Sequence, residues 1–251
     1  MSVRLALWVT RAYAGHLDVA EAVEIAAADA TILDSPSPPL QAWTDLGETA
    51  LLVALPRPGD LTGLPRGGSD FVAAALAAGE CVFVPALGAA LVPQLASFGS
   101  TVEPGLSVSW ETFDCEPTPR HRLEALSLRD IESQLRQQMT SAIGHLESIE
   151  STIWPQSDSV HDLLAEQVDR VRWGLPPGIS PRAFQVLELA ATLGSISELA
   201  ATAGTSSSGT LRQTRREDVV RRLGAAADRA LADATCVAAL AMAGLRPGRE
   251  D

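Results

Sequence analysis

Apolar residues follow two patterns along this chain, short continuous runs and helical spacing at threes and fours, and the first half combines both. Residues 50–55 form a continuous apolar run closed by a Pro-Arg-Pro-Gly turn, and residues 81–84 form another run ended by Pro85. Both runs are too short for helices and are bounded by turn residues, so they predict two buried strands. Between them, the spacing predicts an alanine-rich helix from Ser69 to Gly79.

The remainder of the first half adds helices, a connector and a third strand. Apolar residues at threes and fours predict a helix from Ser2 to Gly15 and a second helix over 18–30. The proline-rich segment 34–39 predicts a connector without a helix, because proline lacks the backbone donor and restricts its predecessor. Strict alternation over 106–111 predicts a half-buried strand.

Beyond residue 118 the strand signals stop and helical periodicity dominates. A loop rich in glycine and serine is expected at 204–209. Four segments carry the helical spacing: 126–153, 160–171, 181–203 and 220–237. Helices on short connectors favour a bundle. The predicted fold class is therefore α+β, with a mixed α/β part and a small sheet at 1–118 and a helical bundle at 119–251.

Composition removes several classes of chemistry. The 251 residues include forty alanines but no lysine and no asparagine, so all nineteen basic residues are arginine. A P-loop lysine, a Schiff-base lysine and a lysine general base are therefore excluded. Cys81, Cys115 and Cys236 lie far apart without a C-x-x-C spacing, which predicts small buried thiols rather than a disulfide framework or a zinc site.

The formal charge of −12 is concentrated in the first half of the chain. Residues 1–118 hold four arginines and fourteen acids, whereas residues 119–251 hold fifteen arginines and seventeen acids. An acidic surface repels phosphate, so affinity for nucleic acid or anionic membranes is not expected from the first half. The sequence shows neither a leader segment nor a long apolar span, and we expect a cytoplasmic protein without a membrane role.

The loop between the two predicted strands is the most site-like segment. A strand leads into it and a helix N-terminus leads out, an arrangement that directs backbone N–H groups at an anion. Asp60 and Asp70 place negative charge where a phosphate would lie, and the loop lacks a G-x-G-x-x-G or Walker sequence, so a long turn with glycines at positive φ is the alternative. The candidate ligand-binding residues are Arg57, Gly59, Gly63, Arg66, Gly67, Gly68 and Ser69.

A second candidate site, for DNA binding, lies in the second half of the chain. Residues 198–206 resemble the centre of a helix-turn-helix, and arginines that could contact DNA phosphates follow. Thr205 stands where a core aliphatic residue is usual, and Gly209 interrupts the would-be recognition helix. Because Glu217 and Asp218 are interleaved with the arginines, a solvated helix face is the favoured interpretation. The arginines concerned are Arg212, Arg215, Arg216, Arg221 and Arg222.

Catalytic and metal-binding constellations are weaker. Asp158-x-x-His161 is the nearest approach to the Glu-x-x-His element of a di-iron carboxylate site, and Asp158 is better explained as a helix N-cap. No G-x-S-x-G elbow is present. We therefore assign no catalytic residue, metal or cofactor from the sequence. The residues that a metal site would have used are His145, Asp158, His161, Asp162 and Glu166.

Several segments resemble a family of uncharacterised actinobacterial proteins. They are residues 59–64, 73–80 and 174–178 and the arginine- and alanine-rich last helix. The resemblance covers most of the chain and implies a bacterial, cytoplasmic protein. It implies no activity and no site residue.

Three functional hypotheses follow from these patterns. The preferred one is a non-enzymatic interaction or regulatory protein, because the predicted helix over 126–153 has the length and the apolar seam, including Leu135 and Leu146, to dimerise or to dock a protein partner. The second is a small-anion or nucleotide-binding protein, possibly an enzyme, that uses the 57–69 loop. The third is a DNA-binding regulator that uses residues 197–222, although nucleic acid is not the expected partner.

Overall fold

The chain folds into an α+β structure with one mixed sheet. The structure, a computed structural model, describes residues 1–100, 104–149, 174–203 and 211–246. Within these ranges the first half of the chain holds five strands and five helices, and the second half holds three longer helices.

The elements are numbered in chain order. The helices are α1 (Ser2–Tyr13), α2 (Val19–Ala26), α3 (Ser37–Asp45), α4 (Ser69–Ala78), α5 (Arg120–Glu124), α6 (Leu128–Ile149), α7 (Pro181–Ala203) and α8 (Leu211–Met242). The strands are β1 (Thr31–Ile32), β2 (Leu52–Ala54), β3 (Cys81–Val84), β4 (Ala89–Gly99) and β5 (Pro104–Asp114).

The five strands form one sheet in the order β1-β5-β4-β3-β2. β2, β3, β4 and β5 pair antiparallel in turn, and the short β1 adds to β5 in parallel through Thr31 and Ile32. β4 and β5 form a long hairpin in which Ala89 pairs with Asp114 and Gly99 pairs with Pro104. Only the first part of β4 is buried, so half of this hairpin extends beyond the core.

Most predicted elements of the first half are confirmed. β3 coincides with the predicted strand at 81–84, β2 lies inside the predicted run at 50–55, and α4 fills the span between Ser69 and Gly79. The prediction of a connector without a helix at 34–39 is wrong, because α3 begins at Ser37. Pro38 and Pro39 lie in its first turn, where the missing N–H groups would have no helical partner in any case.

The helical predictions for the second half hold where the structure describes them. α7 has the predicted bounds, and α6 covers the predicted long helix up to Ile149. α8 is longer than the predicted 220–237 and contains 32 residues. The predicted helix over 160–171 and the predicted loop at 204–209 lie outside the described residues. Within the described parts of the chain, no helix is both long and apolar enough to cross a membrane.

α8 contributes to two separate apolar cores. One face packs with α1, α2 and the sheet through Ala232, Cys236, Ala239 and Leu240. Residues on the neighbouring face, among them Ala227, Ala230, Ala234 and Val237, pack with α6 and α7. Because these residues are mostly alanine, α8 approaches both sets of neighbours closely. The last helix therefore joins the two halves of the protein through side-chain packing.

Hydrogen bonds from side chains of α8 and α1 to backbone groups fix these helices against the second strand. The Cys236 thiol donates to the backbone oxygen of Val53 at 3.3 Å. The hydroxyl of Thr10 in α1 accepts from the backbone N–H of Leu51 at 3.0 Å, at the entrance to β2. The cysteines are free, and burial raises the pKa of Cys236 to about 12 and that of Cys115 to about 11. The buried Cys81 and Cys236 behave as small apolar residues.

Glu48 holds the turn that joins β3 to β4. Its side chain is buried, at 4% exposed, and Oε1 accepts hydrogen bonds from the backbone N–H groups of Ala86 (2.8 Å) and Leu87 (2.5 Å). Burial raises the pKa of Glu48, and the two hydrogen bonds oppose that shift. The carboxylate thus replaces water as the partner of two backbone donors.

Replacing Glu48 by Ala should lower the free energy of unfolding by about 1–3 kcal/mol, because two partly buried N–H groups lose their acceptor. Urea denaturation monitored by circular dichroism measures this loss. The exposed Glu24→Ala in α2 is the matched control and should leave the denaturation midpoint unchanged. Equal midpoints for the two variants would contradict the structural role of Glu48.

Candidate functional site

A cleft of about 1140 Å³ lies where α6, α7 and α8 meet the turn at residues 57–60. Its apolar surface comes mainly from alanine, glycine and three larger aliphatic residues, and glutamines and charged side chains complete the lining. The charged lining residues comprise five arginines and five carboxylates: Arg57, Arg216, Arg221, Arg222, Arg229, Asp60, Glu198, Glu217, Asp228 and Asp233. The lining is therefore mixed in polarity and balanced in charge.

Contacts between the three helices define the directions in which they run. A Cβ added at Gly224 of α8 would lie 3.4 Å from the Cβ of Ser197 in α7, and one at Gly194 would lie 4.0 Å from Ala227. α7 and α8 are therefore antiparallel and close. An ion pair of 3.3 Å between Arg182 and Glu132 joins the starts of α7 and α6. Arg246, just after α8, donates to the backbone oxygens of Glu124 and Leu126, just before α6, so α6 also runs antiparallel to α8.

Crossed ion pairs attach the 57–60 turn to α8. Nε of Arg57 lies 2.6 Å from Oδ2 of Asp228, and Arg229 pairs in the opposite sense with Asp60. Arg57 also lies 3.9 Å from Glu198 of α7. The hydrogen bond with Asp228 raises the pKa of Arg57. The two arginines thus neutralise neighbouring carboxylates in the lining of the cleft.

The turn itself is rigid because its backbone is internally bonded. Arg57 N–H donates to Asp60 O at 2.9 Å, and Asp60 N–H donates to Arg57 O at 2.8 Å. Gly59 sits at φ +87°, a conformation that favours glycine, and the Asp60 carboxylate accepts from Thr62 N–H at 3.0 Å. The turn therefore holds Arg57 and Asp60 ready to pair with α8.

The structure separates the residues of the predicted anion loop. Arg57 and Gly59 line the cleft, whereas the remaining candidates do not. Gly63 occupies a positive-φ turn position, and Arg66 is exposed, with its carbonyl accepting from Glu116 N–H at 2.6 Å. Gly67 pairs with Cys115 and leaves space for the Phe71 ring, which would lie 2.6 Å from an added Cβ. Gly68 and Ser69 lie at the start of α4.

Asp233 is one of the lining residues that sequence reasoning missed. Its carboxyl is half-buried, and it makes no hydrogen bond or ion pair in the described part of the chain. Burial raises its pKa to about 6, Arg229 lowers it and Asp60 raises it further. One sequence signal was present, because Asp233 interrupts the alanine-rich stripe of the last helix between Ala230 and Ala234.

The arginines of the helix-turn-helix hypothesis are partly occupied. Arg221 and Arg222 both pair with Asp218, the latter at 2.7 Å, and Arg216, Arg221 and Arg222 line the cleft. Arg215 is exposed. The predicted turn of that motif lies outside the described residues, as does the side chain of Arg212. The arrangement favours a paired helix face rather than a free basic surface.

The residues considered for a metal site are only partly described. His145 hydrogen-bonds through Nδ1 to the backbone oxygen of Ser141 at 2.7 Å, within α6. Asp158, His161, Asp162 and Glu166 lie outside the described residues. Among the described residues, no three histidine, cysteine or acidic side chains group in a way that could hold a metal ion.

The comparisons with known proteins place the chain in a family. A model of the N-terminal domain of Rv1486c-like protein matches residues 2–124, and a model of the C-terminal domain of the same protein matches residues 129–232. The chain therefore belongs to the Rv1486c-like protein family. No curated protein and no solved structure matches it. The cleft lies at the junction of the two matched regions, since the 57–60 turn comes from the first and most other lining residues come from the second.

Asp233→Asn should stabilise the protein at pH 7 by on the order of 1 kcal/mol, because a half-buried charge without a hydrogen bond is removed. The folded-state pKa of about 6 exceeds the ordinary value of an aspartate, so the folded protein binds the proton more tightly. The free energy of unfolding of the wild type, compared with that of the variant, should therefore fall as the pH rises from about 4 to 6.

Urea denaturation of both proteins between pH 4 and pH 7 measures this difference. Asp34→Asn, at an exposed position, is the control and should follow the wild type at every pH. An Asp233→Asn variant less stable than the wild type at pH 7 would show instead that the carboxylate stabilises the fold.

Proposed function

We propose that this protein is a binding protein for a polar small molecule, held in the cleft between α6, α7, α8 and the 57–60 turn. The observation that carries the proposal is the cleft itself. It is a concavity of about 1140 Å³, somewhat above the roughly 300–1,000 Å³ usual for ligand sites, with apolar walls and a set of convergent polar groups.

The fixed geometry of the charges supports this function. Arg57, Asp228, Arg229 and Asp60 are held by their mutual pairing and by the hydrogen-bonded turn, so the end of the cleft is formed before a ligand arrives. A preformed site loses less conformational entropy on binding than one that must be ordered. Asp233 adds a carboxyl without a hydrogen bond, and perturbed titratable groups in clefts are characteristic of functional sites.

The hypothesis of partner docking through the long helix loses the part of its apolar seam around Leu135. Leu135 is 2% exposed and packs inside the protein with Leu187 of α7 and Ala230 of α8. The same core includes Ile131. This part of the apolar seam of α6 is therefore occupied by the chain itself, and the cleft is the better supported site.

A tryptophan in the wall of the cleft tests the proposal. Ala201 lines the cleft at an exposed position of α7, so Ala201→Trp should fill the space without disturbing the core. Thr202→Trp, one residue further along the same helix, is the matched control because Thr202 does not line the cleft. Thermal-shift screening of amines, carboxylates, nucleotides, sugars and short peptides supplies the readout.

We expect at least one compound to raise the melting temperature of the wild type and of Thr202→Trp but not that of Ala201→Trp. Saturation at ~100 times the dissociation constant adds about 2.7 kcal/mol, which corresponds to several degrees for a chain of this size. If no compound shifts the wild type, or if Ala201→Trp responds as the control does, the proposed function is wrong.

A further inference from the structure

The charges along the cleft are sorted by sign. They form an acidic end and an arginine end. The acidic end has four carboxylates and two arginines: Asp60, Glu198, Asp228, Asp233, Arg57 and Arg229. The arginine end has three arginines, with one lining carboxylate and one ion-pair partner: Arg216, Arg221, Arg222, Glu217 and Asp218. A ligand that carries charges of both signs would complement the excess charge of each end.

The spacing of these ends fixes the length of such a ligand. An α-helix rises 1.5 Å per residue, so Asp228 and Asp233 of α8 lie roughly 9 Å and 16 Å along the axis from Arg222. The cationic and anionic groups of the ligand should therefore be roughly 9–16 Å apart. This distance exceeds the size of a single amino acid.

Amide side chains line the space between the two ends. Gln134, Gln137 and Gln138 of α6 line the cleft, and they make no hydrogen bond in the described part of the chain. Because α6 and α8 are antiparallel, the Ile131 end of this row lies beside Asp233. Glutamine amides both donate and accept, which suits the N–H and C=O groups of a peptide backbone.

Small residues on the facing helices leave room for a backbone. Ala200 and Ala201 of α7 and Gly224, Ala225 and Ala226 of α8 all line the cleft. Without larger side chains at these positions, an extended chain can approach the helices closely. The cleft thus offers hydrogen bonds from one wall and space from the others.

Asp233 is the group best suited to an ammonium ion. Its carboxyl has no hydrogen bond or ion pair in the described residues, whereas Asp60 and Asp228 are already paired with arginines. A bound ammonium group would supply the charge-assisted hydrogen bonds that Asp233 lacks. Burial raises its pKa, and a bound ammonium group would stabilise the charged form of this carboxyl.

We propose that the ligand is a short peptide of about three to five residues with free termini, its ammonium group at the acidic end and its carboxylate at the arginine end. An extended residue spans ~3.3–3.6 Å, so three to five residues span roughly 10–18 Å, which covers the separation of the two ends. This inference rests on the proposed function and specifies the ligand class of the same site.

Calorimetric titration at pH 7 with three related probes tests the proposal. Tetraalanine has both charges, N-acetyl-tetraalanine lacks the ammonium group, and tetraalanine amide lacks the carboxylate. We expect tetraalanine to bind and each blocked peptide to bind at least ~10-fold more weakly, because a charge-assisted hydrogen bond is lost in each case.

Variants assign each charge to its end of the cleft. Asp233→Asn should weaken tetraalanine by ~10-fold but should not further weaken the N-acetylated probe. The double variant Arg221→Gln, Arg222→Gln should also weaken the binding of tetraalanine by ~10-fold. It should not further weaken tetraalanine amide, which has no carboxylate. Arg215→Gln is the matched control, since Arg215 lies on α8, is exposed and does not line the cleft.

The outcomes separate this inference from the proposed function. If tetraalanine gives no heat while another compound shows a thermal shift that Ala201→Trp abolishes, the peptide class is wrong and the binding function stands. Equal binding of the blocked and free peptides also overturns the inference. If no compound binds in the cleft at all, both proposals fail.

Discussion

The structure depends on one helix that must bury two faces at once. α8 packs against α1 and the sheet through one set of small residues and against α6 and α7 through another. A single apolar stripe would satisfy only one of these neighbours, and a helix with large side chains on both faces could not approach either closely. Alanine at positions such as 230, 234 and 239 lets α8 lie close to both sets of neighbours, although each alanine buries less apolar area than a larger residue would. The alanine content of the last helix is thus a packing requirement as well as a helix propensity.

Local signals in the sequence predicted most of the elements but not their assembly. The runs at 81–84 and 50–55 and the helix at 181–203 were identifiable because their periodicity and their end signals agree. α3 was missed because proline was weighed as a helix breaker, although it is tolerated in the first turn. β4 was missed because its second half is exposed and carries Pro93, so neither a continuous apolar run nor a simple alternation marks it.

The candidate site was less predictable than the fold because its residues are distant in sequence. Arg57 was singled out for a nearby anion loop, yet its partner Asp228 is 171 residues away. No local pattern can show that two oppositely charged pairs cross between a turn and a helix. Asp233 could have been noticed as a carboxyl within an alanine-rich stripe, but its lack of a partner is a property of the folded chain. The sequence therefore singled out two separate parts of the lining, Arg57 and the arginines of α8, but for different sites, and it did not indicate that they share one cleft.

The distribution of charge matters more than its total in deciding what the cleft can bind. With equal numbers of arginines and carboxylates in its lining, it has no net attraction for an anion such as a nucleotide phosphate. For paired groups such as Arg57 and Asp228, a charged ligand would replace an ion pair that already exists, so little binding free energy would be gained. A carboxyl without a hydrogen bond differs, because it destabilises the free protein and a cationic group would relieve that cost on binding. Arg221 and Arg222 share the single carboxylate of Asp218, so the arginine end keeps an excess of positive charge. The separation of Asp233 from this positive charge favours a ligand with two charges over an anion.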